Sequence, residues 1–154
     1  MQVEKKLEQL GLSLPDTPKP VANYVSSVLT GSMLFVSGQV GFNSDRTILN
    51  PGKLGKDLSV ETGYETARQT VLGCLSVIKG AIGDLDNVKQ VVKITVMINA
   101  TSDFADQPQV ANGASDLLVE VYGDKGRHAR VAVGMSSLPL NASVEIDMVV
   151  EVDS

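Results

Sequence analysis

The chain has 154 residues, of which 43% are hydrophobic and 20% are charged, and its formal net charge is −5. These values predict one globular domain over 1–154 and disfavour nucleic acid as a partner, because an acidic surface repels phosphate. The opening residues lack the apolar core of a signal peptide, and no apolar run reaches the roughly 20 residues that span a bilayer. With a single cysteine, Cys74, we expect a cytoplasmic protein without an internal disulfide and without a membrane partner.

The first 20 residues predict a short N-terminal helical extension and a proline-rich lead-in. Val3, Leu7 and Leu10 recur at helical spacing between charged residues, which indicates a helix on the surface of the domain. Three prolines within 11–20 then stop that helix, because proline lacks a backbone donor.

A hairpin and a long loop are predicted next. Residues 22–42 indicate two strands joined by the turn Thr30-Gly31-Ser32. The segment 43–58 is polar and rich in glycine, which favours a loop with little regular structure. Its "GKLGKD" stretch does not match a phosphate-binding loop, since that motif has four residues between its first glycine and the Gly-Lys pair.

The second half of the chain predicts two helices and three strands. Ser59 can cap a helix whose apolar stripe runs to Ile78 and which ends near Gly80 and Gly83. A second amphipathic helix follows "TSDF". The three strands are predicted at 88–100, 130–135 and 143–152.

The element order β-β-α-β-α-β-β predicts an α+β domain, a mixed sheet with two helices on one face. The strand over 91–98 is rich in β-branched residues and would not tolerate water on its second face. Because no further long helix is predicted to cover that face, we expect the chain to associate with copies of itself.

Three segments resemble the Rid family, the YjgF-type reactive-intermediate deaminases. They are "NYVSSVLTGSMLFVSGQVGFN", "VVKITVMINATSDF" and "ARVAVGMSSLPLNASVEIDMVVEV", and the resemblance runs from about Val21 to Val152. It implies a chorismate-mutase-like α+β fold and a homotrimer with ligand clefts between subunits. It also implies hydrolysis of enamines and imines such as 2-aminoacrylate to a 2-keto acid and ammonia, with no cofactor and no metal.

The resemblance assigns catalytic roles to Arg130 and Glu145. Arg130 is expected to grip the substrate carboxylate with its planar fork, and Glu145 to position or activate water. Ordinary structural roles explain both residues as well: Arg130 could form a salt bridge with Glu145 or Asp147, and Glu145 could belong to a solvated outer face. We expect the strands to hold both groups on the sheet face between subunits.

Substrate-binding roles are assigned by the resemblance to Tyr24, Ser37, Gly38, Arg130 and Ala132. Alanine stands where the family often has cysteine, and a role of the backbone at that position would survive the change. Packing would explain Tyr24 equally well, and a plain turn would explain Ser37 and Gly38.

The chain also departs from the family. His128 replaces a common proline, and as the one histidine, in a basic loop, it is expected to be incidental rather than a base. One histidine and one cysteine far apart disfavour a metal site and a Cys-His nucleophile pair. The N-terminal helix and the 43–58 loop exceed the compact members, which indicates a longer, divergent branch. The resemblance therefore indicates the pocket more firmly than the substrate.

Two functions follow from these residues. The first is hydrolysis of a small carboxylate-bearing imine, and the alternative is a protein that binds 2-keto acids without turnover, since both require Arg130. The family's older ribonuclease label is disfavoured, because an acidic chain with no tryptophan and three phenylalanines is poorly suited to phosphate capture and base stacking.

Overall fold

The computed structural model describes residues 1–16, 19–20 and 22–153 of the chain. Thr17, Pro18 and Val21, which belong to the predicted lead-in and to the start of the resemblance, lie outside the described residues. The helices are α1 (Gln2–Gln9), α2 (Val60–Ile82) and α3 (Gln107–Tyr122), and the strands are β1 (Ser27–Thr30), β2 (Met33–Val40), β3 (Val88–Asn99), β4 (Ala129–Met135) and β5 (Val144–Val152).

The strands form one mixed sheet in the order β1-β2-β5-β3-β4. The β1–β2, β2–β5 and β3–β5 pairs are antiparallel, and the β3–β4 pair is parallel. A parallel pair needs a crossover connection, and α3 supplies it between β3 and β4. The predicted α+β fold is confirmed, and the strand over 88–100 lies in the interior of the sheet as its composition predicts.

The helices begin and end where local chemistry directs. Ser59 Oγ accepts a hydrogen bond from Thr62 N at 3.1 Å, and Gly83, with φ of +85°, ends α2. The short helix α1 is capped from a distance, because the Asp86 carboxylate accepts from the backbone N–H groups of Gln2 at 2.7 Å and Val3 at 2.9 Å. Among the described residues, no helix is long and apolar enough to cross a membrane.

The helices cover one face of the sheet and leave the other face bare. Strand residues alternate between buried and partly exposed, most regularly along β5, and the buried set joins α1, α2 and α3 in one core. The opposite face carries Val28, Phe35 and Val131, whose exposed fractions are 51%, 50% and 39%. This bare face matches the uncovered face that the sequence predicts.

A β-bulge interrupts β2 at Ser37-Gly38. Val36 pairs with Met148 on β5, whereas Gln39 pairs with Ile146, so β2 has one residue more than its partner over this stretch. The extra residue reverses the alternation of β2, which turns Gln39 toward α2 and Val40 toward the bare face. The bulge therefore decides which side chains reach the bare face beside β5.

The 43–58 loop has more structure than its composition predicts. Phe42 and Ile48 form an isolated bridge, and the buried Leu54 pairs with both Leu58 and Ala100. Lys53 Nζ donates to Asn99 Oδ1 at 2.8 Å and to the Ser136 carbonyl oxygen. Burying Leu54 requires its backbone to be hydrogen-bonded, and the end of β3 supplies those partners.

The two long helices approach closely at Gly113 of α3. A Cβ atom at this position would lie 1.9 Å from the Tyr64 carbonyl oxygen on α2, and backbone cannot move aside as a flexible side chain can. Gly80 on α2, by contrast, has no neighbour within 4 Å of such a Cβ.

We expect Gly113→Ala to destabilise the fold by about 2–4 kcal/mol through steric overlap between α2 and α3. The matched control is Gly80→Ala, which should be neutral or stabilise by up to about 1 kcal/mol, because alanine is the better helix former. Denaturant unfolding of the two variants measures the difference. Equal stability of both would contradict the close helix approach.

Candidate functional site

Gly38 lies directly against the carboxylate of Glu145. A Cβ atom on Gly38 would be 2.2 Å from Glu145 Oε2, so a larger residue there would push the carboxylate out of its present position. Glu145 pairs with Val40 on β2 and with Met97 on β3, which places it among interior strands on the bare face. Two residues that the resemblance assigns separately are thus brought together by the bulge.

The Glu145 carboxylate is half-buried and has no hydrogen-bond donor among the described residues. Burial raises its pKa, and the negative charge of Asp147 raises it further. A carboxyl group with a raised pKa takes up a proton more readily near neutral pH than an exposed one. The group is therefore suited to exchange protons with a water molecule.

Ser37 fastens the segment before β1 to the bulge. Its Oγ donates to the Val25 carbonyl oxygen at 2.7 Å, and its backbone N–H donates to the Ser26 carbonyl oxygen at 2.9 Å. The segment includes Tyr24, whose ring is 57% exposed, so within one protomer the tyrosine is not packed into the core. Ser37 therefore holds the Val25-Ser26 segment beside Gly38.

A cleft of about 390 Å³ opens beside the bulge. Tyr24 and Gly38 both line it, which brings two of the predicted substrate-binding residues into one site. Its remaining lining residues are four apolar ones, two cations and two neutral polar ones: Pro20, Val40, Phe42, Leu140, Lys19, Arg46, Ser26 and Gln39. Apolar walls with few polar groups are typical of clefts that bind small molecules.

Arg130 does not face this cleft. It pairs with Ile94, whose side chain is fully buried on the helix-covered face, and its Nη1 donates to Asn112 Oδ1 at 2.8 Å and to Ser115 Oγ at 3.1 Å. Both acceptors belong to α3. The expectation that Arg130 and Glu145 share the bare sheet face is therefore wrong for Arg130, because the register of β4 turns its guanidinium toward the helices.

Within one protomer, Arg130 and Glu145 are also distant. Strand β3 lies between β4 and β5, which places the backbones of β4 and β5 about 10 Å apart across the sheet. Val133 on β4 is level with Glu145 on β5, because both residues pair with Met97. Arg130 is three residues before Val133, which adds about 10 Å along the strand. No ion pair joins Arg130 to Glu145 or Asp147 among the described residues, so the salt-bridge alternative does not hold within the protomer.

His128 stands behind Arg130 in a hydrogen-bonded chain. Its Nδ1 lies 2.6 Å from the Gly126 carbonyl oxygen, which can only accept, so Nδ1 carries the ring proton. Burial lowers the His128 pKa, which favours the neutral ring, and Nε2 then accepts from Ser115 Oγ at 2.9 Å. His128 thus orients the serine that holds Arg130, a role that its sequence context alone does not indicate.

Ala132 occupies the same face as Arg130. It is partly buried and packs against the core cluster, on an edge strand. Its predicted role through the backbone stays a prediction. Among the described residues, no group of three or more histidine, cysteine, aspartate or glutamate side chains is placed to hold a metal ion.

Sequence reasoning missed the two cations of the cleft, Lys19 and Arg46. Both lie in segments whose composition is that of ordinary surface loops, and neither belongs to a motif. One signal was present for Arg46: the run "NSDR" is rich in turn-forming residues, which predicts a tight turn there.

The chain is similar to known proteins over nearly its whole length. A family model described as "YjgF/chorismate_mutase-like, putative endoribonuclease" matches residues 4–152. Protein TCP17 of Trypanosoma cruzi is 45% identical over 154 residues, which cover 99% of this chain and 96% of that protein. The 2-iminobutanoate/2-iminopropanoate deaminase of Dermatophagoides farinae is 26% identical and covers 92% of this chain and 95% of its own.

A solved structure agrees with these matches. The protein Atu1372 of Agrobacterium tumefaciens superposes with a TM-score of 0.92 at 40% identity, covering 99% of this chain and 93% of its own. The chorismate-mutase-like fold that the resemblance implies is thereby confirmed.

The raised pKa of Glu145 predicts how Glu145→Gln changes stability with pH. Because the fold favours the neutral carboxyl, protonation of Glu145 contributes to the free energy of unfolding. This contribution is complete below the pKa that Glu145 has in the unfolded chain, and it is lost as the pH rises through its pKa in the folded protein. The glutamine variant has no such loss. We expect its stability advantage over the wild type to be small in acid and to grow toward neutral pH, as measured by denaturant unfolding across a pH series. An advantage largest in acid would contradict the shift.

Proposed function

Because this chain belongs to the YjgF/chorismate mutase-like family, we propose that it hydrolyses small imino acids to 2-keto acids and ammonia. We propose further that it acts in the cytoplasm as a homotrimer whose sites lie between subunits. The observation that carries the proposal is the half-buried Glu145 carboxylate, held against Gly38 with a raised pKa and no hydrogen-bond donor among the described residues. A relative named as a 2-iminobutanoate/2-iminopropanoate deaminase supports this substrate class.

The proposed reaction adds water across a carbon–nitrogen double bond. Glu145 accepts a proton from water while the water oxygen bonds to the imino carbon. That proton passes to the imine nitrogen and gives a carbinolamine, which carries a hydroxyl and an amino group on the same carbon. The hydroxyl proton is then transferred to the amino group by way of Glu145, the carbon–nitrogen bond breaks, and ammonia leaves as the carbonyl forms. One water is consumed for each ammonia released, and Glu145 returns to its starting state, so the proposal requires neither a metal nor an organic cofactor.

The opposite orientations of Arg130 and Glu145 support a site shared between subunits. One protomer cannot bring both groups to the same ligand, because the sheet itself separates them. Arg130 lies on edge strand β4, where its Nη1 is held by α3 while the rest of the planar fork is left for a carboxylate. In the proposed assembly, Arg130 of one subunit approaches the cleft of its neighbour.

A binding protein without turnover would use the same cleft and the same arginine. The two functions differ at Glu145, since a binder has no proton to move. Glu145→Gln should spare binding of 2-keto acids while slowing hydrolysis, because the amide accepts a hydrogen bond but no proton.

We expect the wild-type protein to sediment as a trimer of 16.3 kDa chains, because the bare face exposes apolar side chains. Phe35→Glu places a charge in the middle of that face and should shift the protein toward the monomer. Leu10→Glu is the control, as Leu10 is 41% exposed beyond the end of α1. A stable wild-type monomer at micromolar concentration would overturn the proposed assembly.

A site shared between subunits predicts that two inactive variants regain activity when they assemble together. Arg130→Ala should lower kcat/KM for 2-aminoacrylate generated in situ by roughly thirty- to a hundredfold, since it removes a charge-assisted interaction with the carboxylate. Glu145→Gln should lower it by roughly a hundredfold or more, since it removes the group that accepts the proton. In randomly mixed cyclic assemblies, about a quarter of the sites combine an intact arginine with an intact glutamate from neighbouring subunits. Activity should therefore return after the two variants are unfolded and refolded together.

Two further measurements separate this outcome from a structural effect. Arg130→Lys retains the charge but loses the fork, so it should stay well below the wild type when the role is carboxylate capture. Thermal melts of each variant show whether Arg130 serves only to tie β4 to α3. Mixed assemblies as inactive as the single variants, with normal melts, would contradict a shared site.

A further inference from the structure

Arg46 is carried by a short hairpin, closed by several hydrogen bonds, that lines the cleft. Asn43 N donates to the Thr47 carbonyl oxygen at 2.8 Å, Arg46 N donates to the Asn43 carbonyl oxygen at 2.9 Å, and Phe42 bridges Ile48. The Asn43 side chain adds donations to Thr47 Oγ1 at 3.0 Å and to the Ile48 carbonyl oxygen at 3.2 Å. These bonds fix the position of the turn relative to β2.

The backbone of Arg46 adopts a conformation that arginine disfavours. Its φ is +70°, in the left-handed region where glycine and asparagine are favoured at such turns. Residues held in this region often mark functional sites, because the surrounding structure must compensate for the strain. A guanidinium at this position is thus retained at a cost to the stability of the turn.

Arg46 forms no ion pair with an acidic residue among the described residues, although Asp16 lines two neighbouring cavities with it. The adjacent Asp45 is directed back into the turn, where its Oδ1 accepts from Thr47 Oγ1 at 2.5 Å and from Thr47 N at 3.1 Å. Those bonds lower the pKa of Asp45 and keep its carboxylate engaged. Arg46 forms none of the ion pairs of the described residues, although it is exposed and lines the cleft with Lys19.

We propose that Arg46, assisted by Lys19, forms a second anion-binding site at the mouth of the cleft and selects imino acids that carry a second carboxylate. This inference rests on the proposed hydrolysis, in which Arg130 of a neighbouring subunit holds the first carboxylate. The apolar wall of Val40, Phe42 and Leu140 fits the carbon chain between the two carboxylates. Arg46 then acts on specificity, at a distance from the reacting carbon.

The test compares a dicarboxylic with a monocarboxylic imine, each generated in situ by oxidation of glutamate or of 2-aminobutyrate. We expect the wild type to prefer the dicarboxylic imine in kcat/KM. Arg46→Asn removes the charge but retains a residue that tolerates the left-handed backbone, so the protein should melt no earlier than the wild type. The selectivity ratio should fall roughly tenfold in this variant and by less in Arg46→Lys.

Arg127→Gln is the matched control, because Arg127 is also exposed but pairs with Asp124 at 3.3 Å outside the cleft. It should leave the selectivity ratio at the wild-type value. A ratio unchanged in Arg46→Asn, or rates for both imines lowered equally, would overturn the second site.

Direct binding separates this proposal from the proposed hydrolysis. Titration calorimetry with 2-oxoglutarate should show roughly tenfold weaker binding to Arg46→Asn than to the wild type, with no such loss for 2-oxobutyrate. That result in a protein that hydrolyses no imine would refute the proposed function and retain the anion site. Binding of 2-oxoglutarate that is insensitive to Arg46→Asn would refute the anion site whatever the hydrolysis assay shows.

Discussion

The packing of α2 and α3 on one face of the sheet, with α1 against α3, is the constraint on which the remaining features depend. The close approach of α2 and α3 at Gly113 buries the apolar side chains of the strands on that face and forms one core. The other face has no such cover, and its Val28, Phe35 and Val131 remain exposed. An apolar sheet face is costly in water, so the same arrangement that builds the core also favours assembly with further copies.

The bulge in β2 turns this one-sided sheet into a site. Without the extra residue, the alternation of β2 would continue unbroken, and Gln39 would point to the bare face in place of Val40. With it, the position beside Glu145 is Gly38, whose missing side chain gives the carboxylate its place. Burial at this position raises the pKa of Glu145, so a carboxyl group that is suited to moving protons also reduces stability at neutral pH.

Arg130 and Glu145 lie on opposite faces of the same sheet, which is why the proposed site is shared between subunits. One belongs to an interior strand and faces the bare side, and the other belongs to an edge strand and faces the helices. In the proposed assembly, Arg130 of one subunit and Glu145 of its neighbour would reach one ligand. Within each protomer, Ser115 and His128 orient the arginine. Lys19 and Arg46, the cations that line the cleft, lie outside this pair of groups, and the selectivity proposed for them would leave the reacting groups unchanged.

Much of the fold follows from local patterns. Residue type and spacing between near neighbours in the chain predict four features: the helix cap at Ser59, the turn at Gly31, the alternation along 144–152 and the uncovered sheet face. The family resemblance adds Tyr24 and Gly38, which line one cleft, and Glu145, whose carboxylate contacts Gly38. The strand register, and the sheet face to which each side chain points, do not follow from local patterns, because they depend on which strands pair and where a bulge falls. Only the tertiary structure turns Arg130 toward α3, directs Gly38 onto Glu145 and brings the loop residue Arg46 to the mouth of the cleft, since each of these requires contacts between segments far apart in the chain.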